Sequence, residues 1–268
     1  MTEMAVIQMT SGPDVAANLY EAGRLVTQAA ESGAQLVVLP ENFCMMPMQE
    51  SHRLSAMEQD GDGHIQNFLA EAARRNNVWL VGGTVPLVTD NPDRCRSACL
   101  VYDDQGKRMA RYDKIHLFDV ALSNADAYTE SATIEAGNQT VVLDTPFGRM
   151  GLAICYDLRF PELFRELSKN GAQIFAIPSA FTALTGAVHW EILVRARAIE
   201  NQAYVLAAAQ GGFHANGRKT YGDSMIVDPW GRVGNRLSRG PGVVMAEVNM
   251  EQLADIRKNM PALQHRIL

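Results

Sequence analysis

The run Met150-Gly-Leu-Ala-Ile-Cys-Tyr-Asp-Leu-Arg-Phe-Pro-Glu162 brings a thiol to the end of an apolar segment. Gly151 to Ile154 reads as a buried strand, and Pro161 suits the first turn of a helix whose body is Glu162 to Asn170. Cys155 then occupies a strand-to-helix corner, which exposes a side chain above a sheet and offers the following backbone N–H groups to a developing oxyanion. Thiol attack on an amide also needs a base for the proton and a positive group or N–H donors for the carbonyl oxygen. The chain offers both residue types: Glu41 in Pro40-Glu-Asn42, just past the apolar run Gln35 to Leu39, and Lys114 in Tyr112-Asp-Lys-Ile-His-Leu-Phe118. All three can meet at one sheet edge. Taken singly, each has an ordinary alternative: Glu41 as a loop or helix cap, Lys114 as a solvated charge, Cys155 as a small buried hydrophobe.

Other candidate chemistry is weaker. Cys95 and Cys99 form C-x-x-x-C, but no second Cys/His pair at finger-like spacing accompanies them, and Ala98 to Tyr102 reads as a strand. No metal site is expected. Gly82-Gly83 follows a strand without a G-x-G-x-x-G pattern or a Lys-Ser/Thr ending, so it reads as a close-packed bend and not a phosphate cradle.

The elements that must carry these residues alternate. Met4 to Met9 reads as a strand, and Asp14 precedes a helical face of Leu19, Ala22, Leu25, Val26 and Ala29 that Gly33 can stop. Gln35 to Leu39 is a buried strand; Ile65, Phe68, Leu69 and Ala72 mark a second helix; Val78 to Val81 and Ala98 to Tyr102 are further strands. Arg111 to Leu122 reads as a charged and aromatic connection, after which Val141 to Leu143 pairs with Gly151 to Ile154 through the Thr145-Pro-Phe-Gly148 turn. Beyond Cys155, Gly171 caps a helix, Ile174 to Ile177 is a strand, Val188 to Asn201 a helix and Tyr204 to Ala209 a strand. Met225 to Val227 and Val243 to Val248 are late strands separated by Asp228-Pro-Trp-Gly231, and Met250 to Asn259 is a terminal helix. With no repeat or linker, this order implies one α/β domain over residues 1–268.

Composition narrows the class. At 47% hydrophobic residues the 268-residue chain can bury a large core. A formal net charge of −6 with no dense Lys/Arg cluster argues against nucleic-acid or membrane-surface partners and favours a small molecule. Four cysteines make no disulfide framework, no apolar run reaches membrane-spanning length, and the N-terminus has no signal-like segment, so a cytoplasmic protein with reduced thiols is expected.

Together, Pro40-Glu41-Asn42-Phe43, Tyr112-Asp-Lys-Ile-His116 and Gly151 to Glu162 resemble the glutamate, lysine and cysteine motifs of the nitrilase superfamily of carbon–nitrogen hydrolases. The likeness continues through Pro178-Ser-Ala-Phe181, Thr185-Gly186, His189-Trp-Glu191, Arg195 to Asn201 and Asp228-Pro-Trp-Gly231. His116-Leu-Phe-Asp-Val120, Ala207-Ala-Ala-Gln210 and Leu263-Gln-His-Arg266 look most like the Nit branch, which hydrolyses deaminated glutathione; the sister omega-amidase branch is the alternative. The resemblance implies a four-layer α-β-β-α sandwich, a homodimer, and no cofactor. It also implies Glu41 as general base, Cys155 as nucleophile forming a thioester, and Lys114 with the Tyr156 backbone N–H as the oxyanion partners. Glu130, in Tyr128-Thr-Glu-Ser131, matches an additional glutamate lining many such sites. Arg159 is a candidate for a substrate carboxylate, or else pairs with Glu162 or Glu200. Thr182, Thr185 and Glu191 are further candidates for the pocket, Glu191 also being a possible first-turn dipole partner, with Trp190 read as core. Other outcomes within the same fold are a nitrile or carbamoyl hydrolase and an inactive scaffold.

Overall fold

A computed structural model describes residues 1–121 and 127–267. In chain order, β1 (Thr2–Gln8) leads to α1 (Val15–Glu31), capped by the Asp14 side chain on Ala17 N–H, then to β2 (Leu36–Val38) and α2 (His64–Asn76). β3 (Trp79–Val81), β4 (Val85–Val88), β5 (Cys95–Tyr102), β6 (Arg108–Asp113), β7 (Asp119–Ala121) and β8 (Ala127–Thr129) follow. The cysteine hairpin is β9 (Val142–Thr145) and β10 (Gly148–Leu152), succeeded by α3 (Pro161–Lys169), β11 (Ile174–Ser179) and α4 (Ala183–Asn201). β12 (Tyr204–Ala209), β13 (Gly211–Phe213), β14 (Lys219–Tyr221), β15 (Ser224–Val227), β16 (Val233–Leu237), β17 (Gly242–Val248) and α5 (Met250–Asn259) complete the described chain.

Two sheets form the centre. One is seven-stranded, ordered β17-β1-β2-β3-β5-β4 with β6 also paired to β5; the other is six-stranded, ordered β16-β15-β12-β11-β10-β9. Period-2 alternation explains why both faces of the first sheet are apolar. Met4, Val6, Leu36, Val38 and Val81 join the core shared with the second sheet, while Ala5, Ile7, Val37 and Leu80 pack under α1 and α2. On the far side, Phe164 and Leu167 of α3 and Trp190, Val194 and Ala198 of α4 cover the second sheet. The order is therefore α-β-β-α, as the resemblance implies. The sheets are stitched at one corner, where Met9 N–H donates to Ala209 O and Gly211 N–H to Met9 O.

Several elements depart from the sequence expectation. β4 has no counterpart in the sequence reading, and β6 runs into the stretch from Arg111 read as connection; β6 carries Arg108, Arg111 and Asp113 because it is an edge strand whose charged side chains bind Asp60 and one another. β16 carries no apolar strand signal, because Val233-Gly-Asn-Arg-Leu237 is largely polar and exposed. Leu122, the end of the expected connection, lies outside the described residues. The helix α4 begins at Ala183, not Val188: the Thr182 hydroxyl caps it by accepting from Thr185 N–H. Gly186 sits in this first stretch because a Cβ there would lie 2.2 Å from the Tyr221 side chain.

Candidate active site

The parallel strands β1, β2 and β3 of one sheet and β10, β11 and β12 of the other deliver their C-terminal ends toward one cavity of about 330 Å³. Such ends are where α/β proteins bind ligands. Glu41, Lys114, Glu130 and Cys155 all line it.

Glu41 follows β2 by way of Pro40, and its backbone is fixed from three sides. Gln210 Nε2 donates to Glu41 O at 3.1 Å, Asn42 N–H donates to Thr84 Oγ1 at 2.8 Å, and Gly83 packs so closely that a Cβ would lie 2.2 Å from Pro40 O. Gly83 has φ +56°, so both its conformation and its contact favour glycine. The bend reading of Gly82-Gly83 thus has a purpose: it presses against the segment carrying Glu41.

Lys114 lies just beyond β6, its side chain only 2% exposed. Its ammonium donates to Glu41 Oε1 at 2.7 Å and to Glu130 Oε1 and Oε2 at 2.8 and 2.9 Å. Glu130 is itself anchored by Phe118 N–H at 2.7 Å. Burial alone pulls the ammonium pKa down, but the carboxylates of Glu130 and Glu41 outweigh it and hold Lys114 above its ordinary value. A charged ammonium stands buried between two carboxylates.

Cys155 opens a short 3-10 turn, Cys155–Arg159, inserted between β10 and α3. Its φ is +46°. A non-glycine residue in this region costs on the order of 1–3 kcal/mol, so its neighbours must impose the conformation. Asp157, fully buried, is the residue placed to do so. It accepts from Ile154 N–H at 2.8 Å and Tyr112 hydroxyl at 2.7 Å through Oδ2, and from His116 N–H at 3.0 Å through Oδ1, with His116 Nδ1 2.7 Å from the same oxygen. One carboxylate therefore ties the cysteine turn to the residues flanking Lys114. The Ala180 N–H points at the sulfur, 3.4 Å away. Burial and then the Glu41 carboxylate push the thiol well above its ordinary pKa, against the pull of Lys114. A base beside the sulfur can take its proton as it attacks.

The remaining sequence candidates divide. Tyr156 lines the cavity, its ring edge-on to Phe118 and Phe160, and its N–H belongs to the first turn of the 3-10 segment, where intrahelical acceptors are lacking. Arg159 also lines it, with its guanidinium 5.1 Å from the Phe181 ring centroid and Nη1 3.2 Å from His189 Nδ1. Neither ion pair offered as the alternative forms among the described residues: Arg159 makes no salt bridge to Glu162, and Glu200 is held by Arg197 and Arg165. Thr182 and Thr185 reach the cavity wall, bonded to each other at 2.9 Å. Glu191 does not belong with them. Because α4 starts five residues earlier than Val188, Glu191 sits in mid-helix and faces outward, bonded to Arg195 at 3.3 Å and Arg236 at 3.0 Å. The Arg236 hydrogen bond holds its carboxyl below the usual range.

Sequence reasoning missed Asp157, Gln210 as a support for Glu41, and the cavity residues Glu50, Arg53 and Arg218. Asp157 carried a faint signal, an acid inside an otherwise apolar corner. The others come from segments distant in sequence and carried none.

Comparison with known proteins agrees with this arrangement. The sequence profile of the family described as carbon-nitrogen hydrolase matches residues 3–258. The chain is 44% identical over 267 residues to a protein of Yersinia enterocolitica named deaminated glutathione amidase, covering 98% of this chain and 92% of that protein. Among solved structures, the NitFhit protein of C. elegans superposes with a TM-score of 0.91 at 39% identity, over 99% of this chain and 65% of that longer one. Nit3 of Saccharomyces cerevisiae, a member of branch 10 of the nitrilase superfamily, gives 0.89 at 30% identity, over 100% of this chain and 97% of its own. A thiol at a strained corner, a buried lysine between two carboxylates, and a profile match spanning nearly the whole sequence place this chain in the carbon–nitrogen hydrolase family of the nitrilase superfamily.

Proposed function

We propose that this protein is an amidase that hydrolyses deaminated glutathione to 2-oxoglutarate and cysteinylglycine through a thioester on Cys155. The observation carrying the reading is the cluster of Glu41, Lys114 and Glu130 beside the Cys155 thiol in one enclosed cavity. The relative from Yersinia enterocolitica supports the choice of substrate. In the first step the sulfur attacks the amide carbon while Glu41 takes the thiol proton. Lys114 and the Tyr156 N–H receive the oxyanion. Glu41 returns the proton to the departing amine, leaving a thioester. Water then adds to that carbonyl as Glu41 accepts its proton, and collapse releases the acid and restores the thiol. Glu130 keeps Lys114 charged and aimed. Arg159, whose guanidinium has no carboxylate partner among the described residues, is suited to the keto-acid carboxylate, with Thr182 and Thr185 on the adjoining wall.

Under this reading the whole chain is one carbon–nitrogen hydrolase domain acting in the cytoplasm as a homodimer without a cofactor. All four cysteines are free thiols, which suits a reducing compartment. Leu184, Val188, Ile192 and Ile199 form one exposed apolar stripe along α4, a face that a second copy related by two-fold symmetry can cover. A sedimentation experiment that found only monomers at micromolar concentration would count against the dimer.

The substrate is tested by kcat/KM for deaminated glutathione, 2-oxoglutaramate, glutathione, glutamine and a simple nitrile under one set of conditions. Deaminated glutathione should lead. Glutathione should trail it by at least about 100-fold, since its α-ammonium would be buried near Arg159 without a partner. A lead for 2-oxoglutaramate would reassign the enzyme as an omega-amidase; a lead for the nitrile would displace the amidase reading.

A further inference from the structure

The cations lining the cavity are not equivalent. Lys114 is committed to Glu41 and Glu130, whereas Arg159 faces no carboxylate among the described residues. A second group stands elsewhere on the wall, where Arg53 and Arg218 share the one carboxylate of Glu50 at 3.1 and 3.2 Å. Among the described residues Arg159 carries one unpaired positive charge and the Glu50 group an excess of one more, while Lys114 between Glu41 and Glu130 leaves an excess of one negative charge at the catalytic end. Arg53 is fixed within that group, its Nη1 donating to Asn42 Oδ1 at 2.6 Å. Two separate sites of unmatched positive charge suit a substrate with two separated carboxylates.

We infer that Arg218 receives the terminal carboxylate of the leaving peptide, and so selects substrates bearing a second carboxylate beyond the scissile amide. The inference rests on the amidase reading above. 2-Oxoglutaramate carries only the keto-acid carboxylate, so it has nothing to place at Arg218; the glycine end of deaminated glutathione does. Arg218 is also pre-positioned. It sits in the turn between β13 and β14, where buried His214 bridges Ser11 O at 2.9 Å and Thr220 Oγ1 at 2.7 Å, and Asn216 Nδ2 donates to Pro47 O at 2.8 Å. The guanidinium lies 5.2 Å from the Tyr128 ring centroid, stacked against another cavity residue. Its side chain is 20% exposed, so it is neither a free surface charge nor a sealed core pair.

The test compares deaminated glutathione with the same compound carrying a carboxamide in place of the glycine carboxylate. A charge-assisted hydrogen bond gives roughly 10- to 100-fold, and sharing with Glu50 puts the expectation near the lower end. The wild-type protein should prefer the acid by about tenfold in kcat/KM, Arg218→Gln should bring the ratio close to one, and Arg218→Lys should keep part of it. A ratio taken within one preparation does not depend on how much of the variant is folded. An undiminished preference in Arg218→Gln, or equal use of both peptides by the wild type, overturns the inference while leaving the amidase reading intact. Cleavage of 2-oxoglutaramate with neither peptide accepted overturns the inference together with the choice of deaminated glutathione as substrate, while amide hydrolysis stands.

Discussion

Replacing Cys155 by alanine should lower kcat by more than about 10⁴-fold, because no other group in the cavity can form the acyl bond. The other three thiols serve as internal controls. Cys44, Cys95 and Cys99 are buried outside the cavity lining, and burial pushes the Cys44 thiol up to about 12 and that of Cys95 up to about 11. Alanine at any of these should retain most of the turnover. Steady-state rates on deaminated glutathione decide the matter: a Cys155→Ala protein with wild-type kcat would remove the covalent mechanism altogether.

Lys114→Ala should cost at least roughly 100-fold in kcat, the scale seen when a fixed oxyanion donor is lost. A second effect acts in the same direction. Without the ammonium, Glu41 loses the 2.7 Å contact that fixes its Oε1 and is less well placed to take the proton of the sulfur. Lys114→Arg should not restore activity, since a planar guanidinium cannot fit a pocket shaped around one Nζ with contacts of 2.7 to 2.9 Å to both acids. A change confined to KM would assign Lys114 to substrate binding instead.

The fold was legible where apolar periodicity was strong. Strands such as Leu36–Val38 and Ile174–Ser179, buried on both faces, announce themselves as unbroken apolar runs, and α1 and α2 show one apolar face each. Edge strands did not, because β6 and β16 satisfy their outward side chains with solvent and arginine–carboxylate pairs that look like loop composition. Glu41, Lys114 and Cys155 could be singled out because each stands where an apolar or aromatic run ends, a pattern that one chain shows locally. What held them in place could not be singled out. Asp157 reaches Tyr112 and His116 across more than forty positions, and Gln210 reaches Glu41 across 169, and such pairings exist only once the two sheets have stacked. The later start expected for α4 has a local cause: Thr182, Thr185 and Gly186 are poor helix formers by type and break the apolar pattern, yet here they cap and pack a helix end. That shift of register moved Glu191 from the cavity to the surface.

The covalent intermediate is the most direct measurement of the central claim. Rapid acid quenching of the wild-type protein during turnover should trap the thioester before water hydrolyses it, whereas Glu41→Gln lacks the base for acylation as well as deacylation and should accumulate little adduct. Intact-mass analysis of the quenched wild-type protein should reveal the mass of one 2-oxoglutaryl group in thioester linkage, mapped by peptide digestion to Cys155 and missing from Cys155→Ala. No adduct during turnover, an adduct on a different residue, or the same adduct persisting in Cys155→Ala, would contradict the account.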